Sequence, residues 1–241
     1  MARNKTKKSR RYDSRSSSNI IEFNDFTPTR SRKKKVDIIP RNEKQEEYIF
    51  CIEDCTITFG VGPAGTGKTL IATLLGIQAL KTGEVERIII TRPAVSVDEQ
   101  HGFLPGTLIE KMAPWTRPIF DVFEEYYSPK QISHMIEDGI IEVSPLAYMR
   151  GRTFKDAWII ADEMQNATPS QMKMVLTRIG DGSKMVVTGD LDQHDRGYEE
   201  NGLRDFLNRL SKEQQNISAV EFTKSDVERN PIVGEVLKAY K

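Results

Sequence analysis

A chain of 241 residues is long enough to bury one sizeable α/β core but too short for two domains of ordinary size, so one globular unit is expected. Two cysteines, Cys51 and Cys55, exclude a disulfide framework and an unaided four-ligand zinc site, and no apolar run approaches the roughly 20 residues of a membrane span. The formal net charge of zero hides an asymmetry, because residues 1–40 carry twelve Lys/Arg against four Asp/Glu, which leaves 23 basic and 31 acidic residues for the rest.

Residues 1–40 contain two basic clusters, Lys5 to Arg11 and Arg30 to Lys35, with little apolar content. They are expected to form a disordered tail, either a solubilising arm or a contact for nucleic-acid phosphates. The globular body is expected over 41–241, in a reducing cytoplasm. Arg41 to Ile52 reads as a short helix with Tyr48, Ile49 and Ile52 on one side. Thr56 to Val61 reads as a strand, and Lys68 to Lys81 as a helix that stops at Gly83. Three more apolar runs, Arg87 to Thr91, Ala157 to Ala161 and Met185 to Thr188, read as buried strands, with helices near 106–126, 169–179 and 201–212. Such alternation implies an α/β fold with a mainly parallel sheet flanked by helices on both faces.

Between the first strand and its helix lies Gly62-Pro63-Ala64-Gly65-Thr66-Gly67-Lys68-Thr69, which fits the phosphate-binding pattern G-x-x-x-x-G-K-[ST]. Glycines let the backbone turn its N–H groups toward a phosphate, and the helix that starts at Lys68 and Leu70 adds its positive end. Lys68 is expected to reach the outer phosphates and Thr69 to ligate Mg²⁺. The strand Trp158-Ile159-Ile160-Ala161 runs into Asp162-Glu163, two acids at a C-terminal strand end, where such sheets bind ligands. Asp162 suits the metal. Glu163, one residue on, suits the orientation or deprotonation of an attacking water, a task for which a GTPase or a small-molecule kinase needs no adjacent acid. After Met185 to Thr188 comes Gly189-Asp190-Leu191-Asp192-Gln193, where Asp190 or Gln193 is positioned to sense the outermost phosphate.

These segments resemble the PhoH-like ATPases, a family related to the superfamily I helicase core. The resemblance covers about residues 40–241 and rests also on Thr91-Arg92-Pro93-Ala94, Gly102 to Gly106, Pro145 to Phe154, Asp162 to Asn166 and Leu176 to Gly180. It implies a P-loop NTPase with a RecA-like sheet that hydrolyses ATP with Mg²⁺ and acts on single-stranded RNA as a homo-oligomer, in a ring of six. It further implies that Gln45 and Tyr48 read and stack on adenine, and that Arg229 stands near the γ-phosphate in its own subunit or a neighbour's. The chain departs from the family pattern at Met164, at Asp98-Glu99-Gln100-His101-Gly102 and at Glu228, while the acidic pair is kept. The polar residues before Arg41 are expected to hold no nuclease domain, and the short chain resembles phage versions of the family.

For RNA the basic tail, Arg92, Arg117, Arg150, Arg152 and the stacking ring of Tyr148 are the expected contacts. The alternative function is a nucleotide-dependent switch or assembly factor that acts on a protein partner.

Overall fold

The computed structural model describes residues 35–93, 108–193, 200–211, 213–228 and 232. Six parallel strands form its sheet in the order β3-β2-β4-β5-β1-β6: β1 Ile57–Val61, β2 Arg87–Thr91, β3 Ile141–Val143, β4 Ala157–Ala161, β5 Lys184–Gly189 and β6 Ile217–Glu221. Because all pairings are parallel, the C-terminal ends of β1, β4 and β5 meet on one edge, and the glycine loop and both acidic segments leave from there.

The central strands are apolar at almost every position because both faces are covered. Ile88, Ile90, Trp158, Ile160 and Val186 face one core, closed by α1 (Glu43–Asp54), α2 (Lys68–Thr82), α3 (Leu108–Glu124) and α4 (Pro129–Glu137). Phe59, Ile89, Ile159, Met185 and Val187 face the other, closed by α5 (Pro169–Leu176) and α6 (Gly202–Arg209). Local chemistry sets the helix ends. The Asn42 carboxamide accepts from the Gln45 N–H at the start of α1, Gly83 in the left-handed region (φ 81°) closes α2, and Ser128 and Thr168 form capping boxes with Gln131 and Gln171.

The expected sheet and two-sided packing are present, with local corrections. The helix expected from Arg41 begins at Glu43 behind its Asn42 cap, and its buried face is Gln45, Tyr48 and Ile52, with Ile49 half-buried. The packed body begins before residue 41, since Val36 is 7% exposed and sits in the first core. Strands β3 and β6 and helix α4 were not anticipated. β3 has three residues, and β6 is an edge strand with one buried side chain, Val220, so neither writes an apolar run into the sequence. Helices α5 and α6 end at Leu176 and Arg209, short of the expected stops at 179 and 212, where carbonyl acceptors are closed by local turns.

Candidate functional site

The loop between β1 and α2 is shaped by three glycines in backbone conformations that L side chains rarely adopt: Gly62 (φ 136°), Gly65 (φ 87°) and Gly67 (φ 85°). Gly62 also meets a close neighbour, because a Cβ there would lie 2.2 Å from the Phe222 carbonyl oxygen. The loop is braced from outside. The Gly62 N–H donates to Gly189 O (3.0 Å), the Glu228 N–H to Gly65 O (2.9 Å) and the Gln45 amide to Thr66 O (3.0 Å). Inside it, the Lys68 ammonium donates to Gly62 O (2.7 Å), Pro63 O (2.8 Å) and Thr66 Oγ1 (3.3 Å). Burial lowers the Lys68 pKa below that of an ordinary lysine, against the opposing pull of Asp190, Glu163 and Asp162. The Lys68 side chain thus stands inside the concavity where an anionic phosphate would be received.

Across the strand ends, Asp162 is buried, and its Oδ1 accepts from the hydroxyls of Thr69 (2.8 Å) and Thr188. Glu163 stands at φ 53°, a left-handed conformation for a non-glycine residue that costs about 1–3 kcal/mol and that gathers at functional sites. Its Oε2 accepts from the Gln165 amide (2.5 Å), and Gln165 Oε1 in turn accepts from the Asp190 N–H (3.1 Å). Asp190 accepts from the Gln193 amide (2.8 Å) and the Asp192 N–H (3.0 Å). Lys68, Thr69, Asp162, Glu163, Asp190 and Gln193 thus face one cleft of ≈ 250 Å³. Gln165, 1% exposed, was missed by sequence reasoning. It joins the two acidic segments, and only its place two residues after Glu163 hinted at that.

Thr69 and Asp162 offer one hydroxyl and one carboxylate oxygen already in contact, a hard-oxygen pair that suits Mg²⁺, which binds through one or two such groups and takes the rest from phosphates and water. Among the described residues no group of three or more His, Cys, Asp and Glu could hold a metal by itself. Both cysteines are free thiols.

Residues 37–241 match the family described as PhoH-like protein. This chain belongs to that family. A PhoH-like protein of Synechocystis is 47% identical over 199 residues, 82% of this chain and 60% of the relative. One from Mycobacterium tuberculosis H37Rv is 49% identical, over 84% of this chain and 58% of its own length. Protein PhoH of Escherichia coli K12 is 42% identical over the same shares, 84% and 58%. The chain thus spans about three-fifths of the length of the curated relatives it matches. Among solved structures, the Hef helicase domain of Pyrococcus furiosus is 18% identical, covering 78% of this chain and 39% of that one, with a TM-score of 0.42. Pif1 of a Bacteroides species, in complex with ADP-AlF4, is 20% identical over 84% and 46%, with a TM-score of 0.36. The PhoH-like chain has a P-loop NTPase fold, and such a fold is a nucleotide-binding one.

One position implied by the resemblance is revised by the geometry. Tyr48 is 0% exposed, edge-on to Phe222 at 5.4 Å and seated against Gly60, so it is a core residue and no base can stack on it. The reason is helical spacing: Tyr48 follows Gln45 by three residues on the inward face of α1. Gln45 itself braces the loop, its Oε1 accepting from the Arg41 N–H (2.9 Å) while its amide donates to Thr66 O. It does line a small hollow beside the loop, together with Ile38, Ile39, Arg41, Leu70 and Leu74. Arg229 lies outside the described residues, as do the basic clusters before Lys35 and the loop around His101. The residue before Arg229, Glu228, is joined to the phosphate loop through its N–H.

The expected RNA contacts divide in two. Tyr148 is 64% exposed, and Arg150, two residues on, is exposed as well. Arg152 is engaged elsewhere: its guanidinium makes a two-pronged pair with Glu142 and lies 4.6 Å over the Phe154 ring, so it is no unengaged arm for phosphates. Arg117 pairs with Asp121 (2.6 Å) and Glu124 (3.4 Å) on α3, and Arg92 is half-buried. Among the described residues no helix is long and apolar enough to cross a membrane.

Proposed function

We propose that this PhoH-like chain is an ATPase that couples Mg-dependent ATP hydrolysis to binding and remodelling single-stranded RNA, as a homo-oligomer. The observation that carries it is the convergence, in one cleft, of a buried lysine in a glycine loop, the Thr69–Asp162 oxygen pair and a strained Glu163 whose carboxylate is steadied by Gln165. Binding a triphosphate would draw Lys68 from the loop carbonyls to the phosphates, and the loop N–H groups would wrap the β-phosphate. Thr69 and Asp162 would hold Mg²⁺, which when bound neutralises charge across the β- and γ-phosphates. Glu163 orients the attacking water and takes its proton. Gln193, tied to Asp190, lines the same cleft, where its amide can contact the γ-phosphate. Arg229, one residue beyond the Glu228 N–H that grips Gly65 O, offsets charge in the transition state, in its own subunit or across an interface.

The RNA half of the reading is supported by an exposed ring and an exposed cation two residues apart, Tyr148 and Arg150, the pairing that stacks a base and meets a phosphate. Basic residues 1–40 would add phosphate contacts at low salt. ATP turnover with and without single-stranded RNA, with Lys68→Ala as the blank, tests it. Stimulation by RNA is expected. Turnover that RNA neither stimulates nor, at low salt, accompanies with binding would leave the switch acting on a protein partner as the surviving function.

A further inference from the structure

We infer that the nucleotide site accepts guanine as well as adenine, so that the chain hydrolyses GTP alongside ATP; the inference rests on the ATPase reading above. The hollow beside the phosphate loop shares Gly65, Gly67 and Leu70 with the phosphate cleft, which makes it the place for the base of a nucleotide whose phosphates lie in the loop. A site selects adenine when fixed donors and acceptors meet its edge, and rejects a purine that leaves those groups unpaired by several orders of magnitude. A pocket that grips a base by its faces discriminates far less.

The walls of this hollow are of the second kind. The side-chain amide that lines it, Gln45, is 4% exposed and has both ends committed, Oε1 to the Arg41 N–H (2.9 Å) and Nε2 to Thr66 O (3.0 Å). Turning that amide toward a base would leave two backbone groups unpaired, one of them in the phosphate loop itself, a loss comparable to what the base edge would return. Tyr48, the other residue of the expected pair, is sealed in the core. What the hollow presents instead is aliphatic surface and one flat cation. Ile39 is 79% exposed and Leu70 41%, with Ile38 and Leu74 also lining it, and Arg41 is exposed on the rim. Aliphatic side chains and a guanidinium plane hold any purine by its π-face.

The remaining polar group is Glu228, which lines the hollow and whose Oε1 accepts from the Asn42 amide at 3.3 Å. A carboxylate can accept from the N6 amino group of adenine with one oxygen and from the N1–H and N2 amino group of guanine with two. Neither base is excluded by it. The chemistry with GTP is unchanged: the water oxygen bonds to the γ-phosphorus, the bond from that phosphorus to the β–γ bridging oxygen breaks, and GDP and phosphate leave while Glu163 takes the water's proton.

The test is displacement of a fluorescent ATP analogue from the full chain with Mg²⁺ by unlabelled ATP and GTP, followed by phosphate release from each. GTP should displace the analogue within about fivefold of ATP, and both should be hydrolysed. If ATP binds and GTP is weaker by more than about tenfold, toward the several orders of magnitude of an edge-reading site, the inference is overturned while the ATPase reading stands. If the analogue binds no better than to Lys68→Ala, the nucleotide reading itself falls and the inference with it. Gln45→Ala, confirmed folded by its melting curve, should weaken ATP and GTP by the same factor, because it loosens a brace common to both. A loss confined to ATP would mean that Gln45 reads adenine and would overturn the inference; the wild-type competition decides the question without any variant.

Discussion

Tyr48→Phe removes one atom, and the structure gives that atom a cost rather than a benefit. The Tyr48 hydroxyl is buried with no hydrogen-bond partner, and burial drives its pKa far above the usual phenol range. A buried, unpaired hydroxyl is worth about 1–3 kcal/mol of lost solvation. Against this stands the packing of the oxygen on Gly60, a few contacts of about 0.1–0.2 kcal/mol each. Tyr48→Phe should therefore stabilise the chain by about 1 kcal/mol, a rise of roughly 2–4 °C in a body of this size. Gly60→Ala is the companion: its Cβ would stand 2.6 Å from the Tyr48 oxygen and 2.7 Å from Cζ, so it should destabilise by about 1–3 kcal/mol even when combined with Tyr48→Phe, which keeps the ring carbon. Thermal and urea unfolding followed by circular dichroism measure both. A melting temperature that drops in Tyr48→Phe, or a neutral Gly60→Ala, would refute a ring locked against the strand that leads into the phosphate loop.

Because burial lowers the Lys68 pKa from its ordinary 10.5, the folded chain sheds that proton before the unfolded chain does. Stability of the nucleotide-free protein should thus rise with pH between the lowered folded value and 10.5, and Lys68→Ala should flatten that rise; parallel urea midpoints across pH for the two proteins would contradict it. Tyr148→Ala and Arg150→Ala should each weaken single-stranded RNA binding, the first by about 1–3 kcal/mol and the second with a salt slope reduced by about 1, whereas Arg152→Ala, already paired with Glu142, should leave RNA affinity almost unchanged; filter-binding titrations at several salt concentrations separate them. Mixing Arg229→Ala chains with Lys68→Ala chains should recover ATP turnover if the arginine acts on a neighbour's nucleotide. No recovery under confirmed mixing places it within its own subunit.

What was legible in the sequence was whatever is written locally. The glycine loop, Asp162-Glu163 and the segment Asp190 to Gln193 are short runs at strand ends, and strands buried on both faces announce themselves as unbroken apolar stretches such as Ile88 to Ile90. What was not legible depended on long-range packing. Strand β6 joins the sheet through pairing with β1 rather than through an apolar pattern, and it leads directly into Phe222, whose carbonyl requires glycine at position 62. Whether Tyr48 faced a ligand or the core could not be read from α1, because both are consistent with one apolar helix face, and only the approach of Phe222 and Gly60 decides it. The linkage through Gln165 was hidden for a similar reason: its two partners, Glu163 and Asp190, lie on different strand ends.

The most direct test of the account is phosphate release from ATP by the wild-type chain and by Glu163→Gln, with ATP affinity measured on both. Glu163→Gln should bind ATP as the wild type does, since Lys68, Thr69 and Asp162 are untouched, and should release phosphate about 10²–10⁴-fold more slowly. Equal rates in the two proteins, or wild-type release no faster than that of Lys68→Ala, would contradict the assignment of this cleft to ATP hydrolysis.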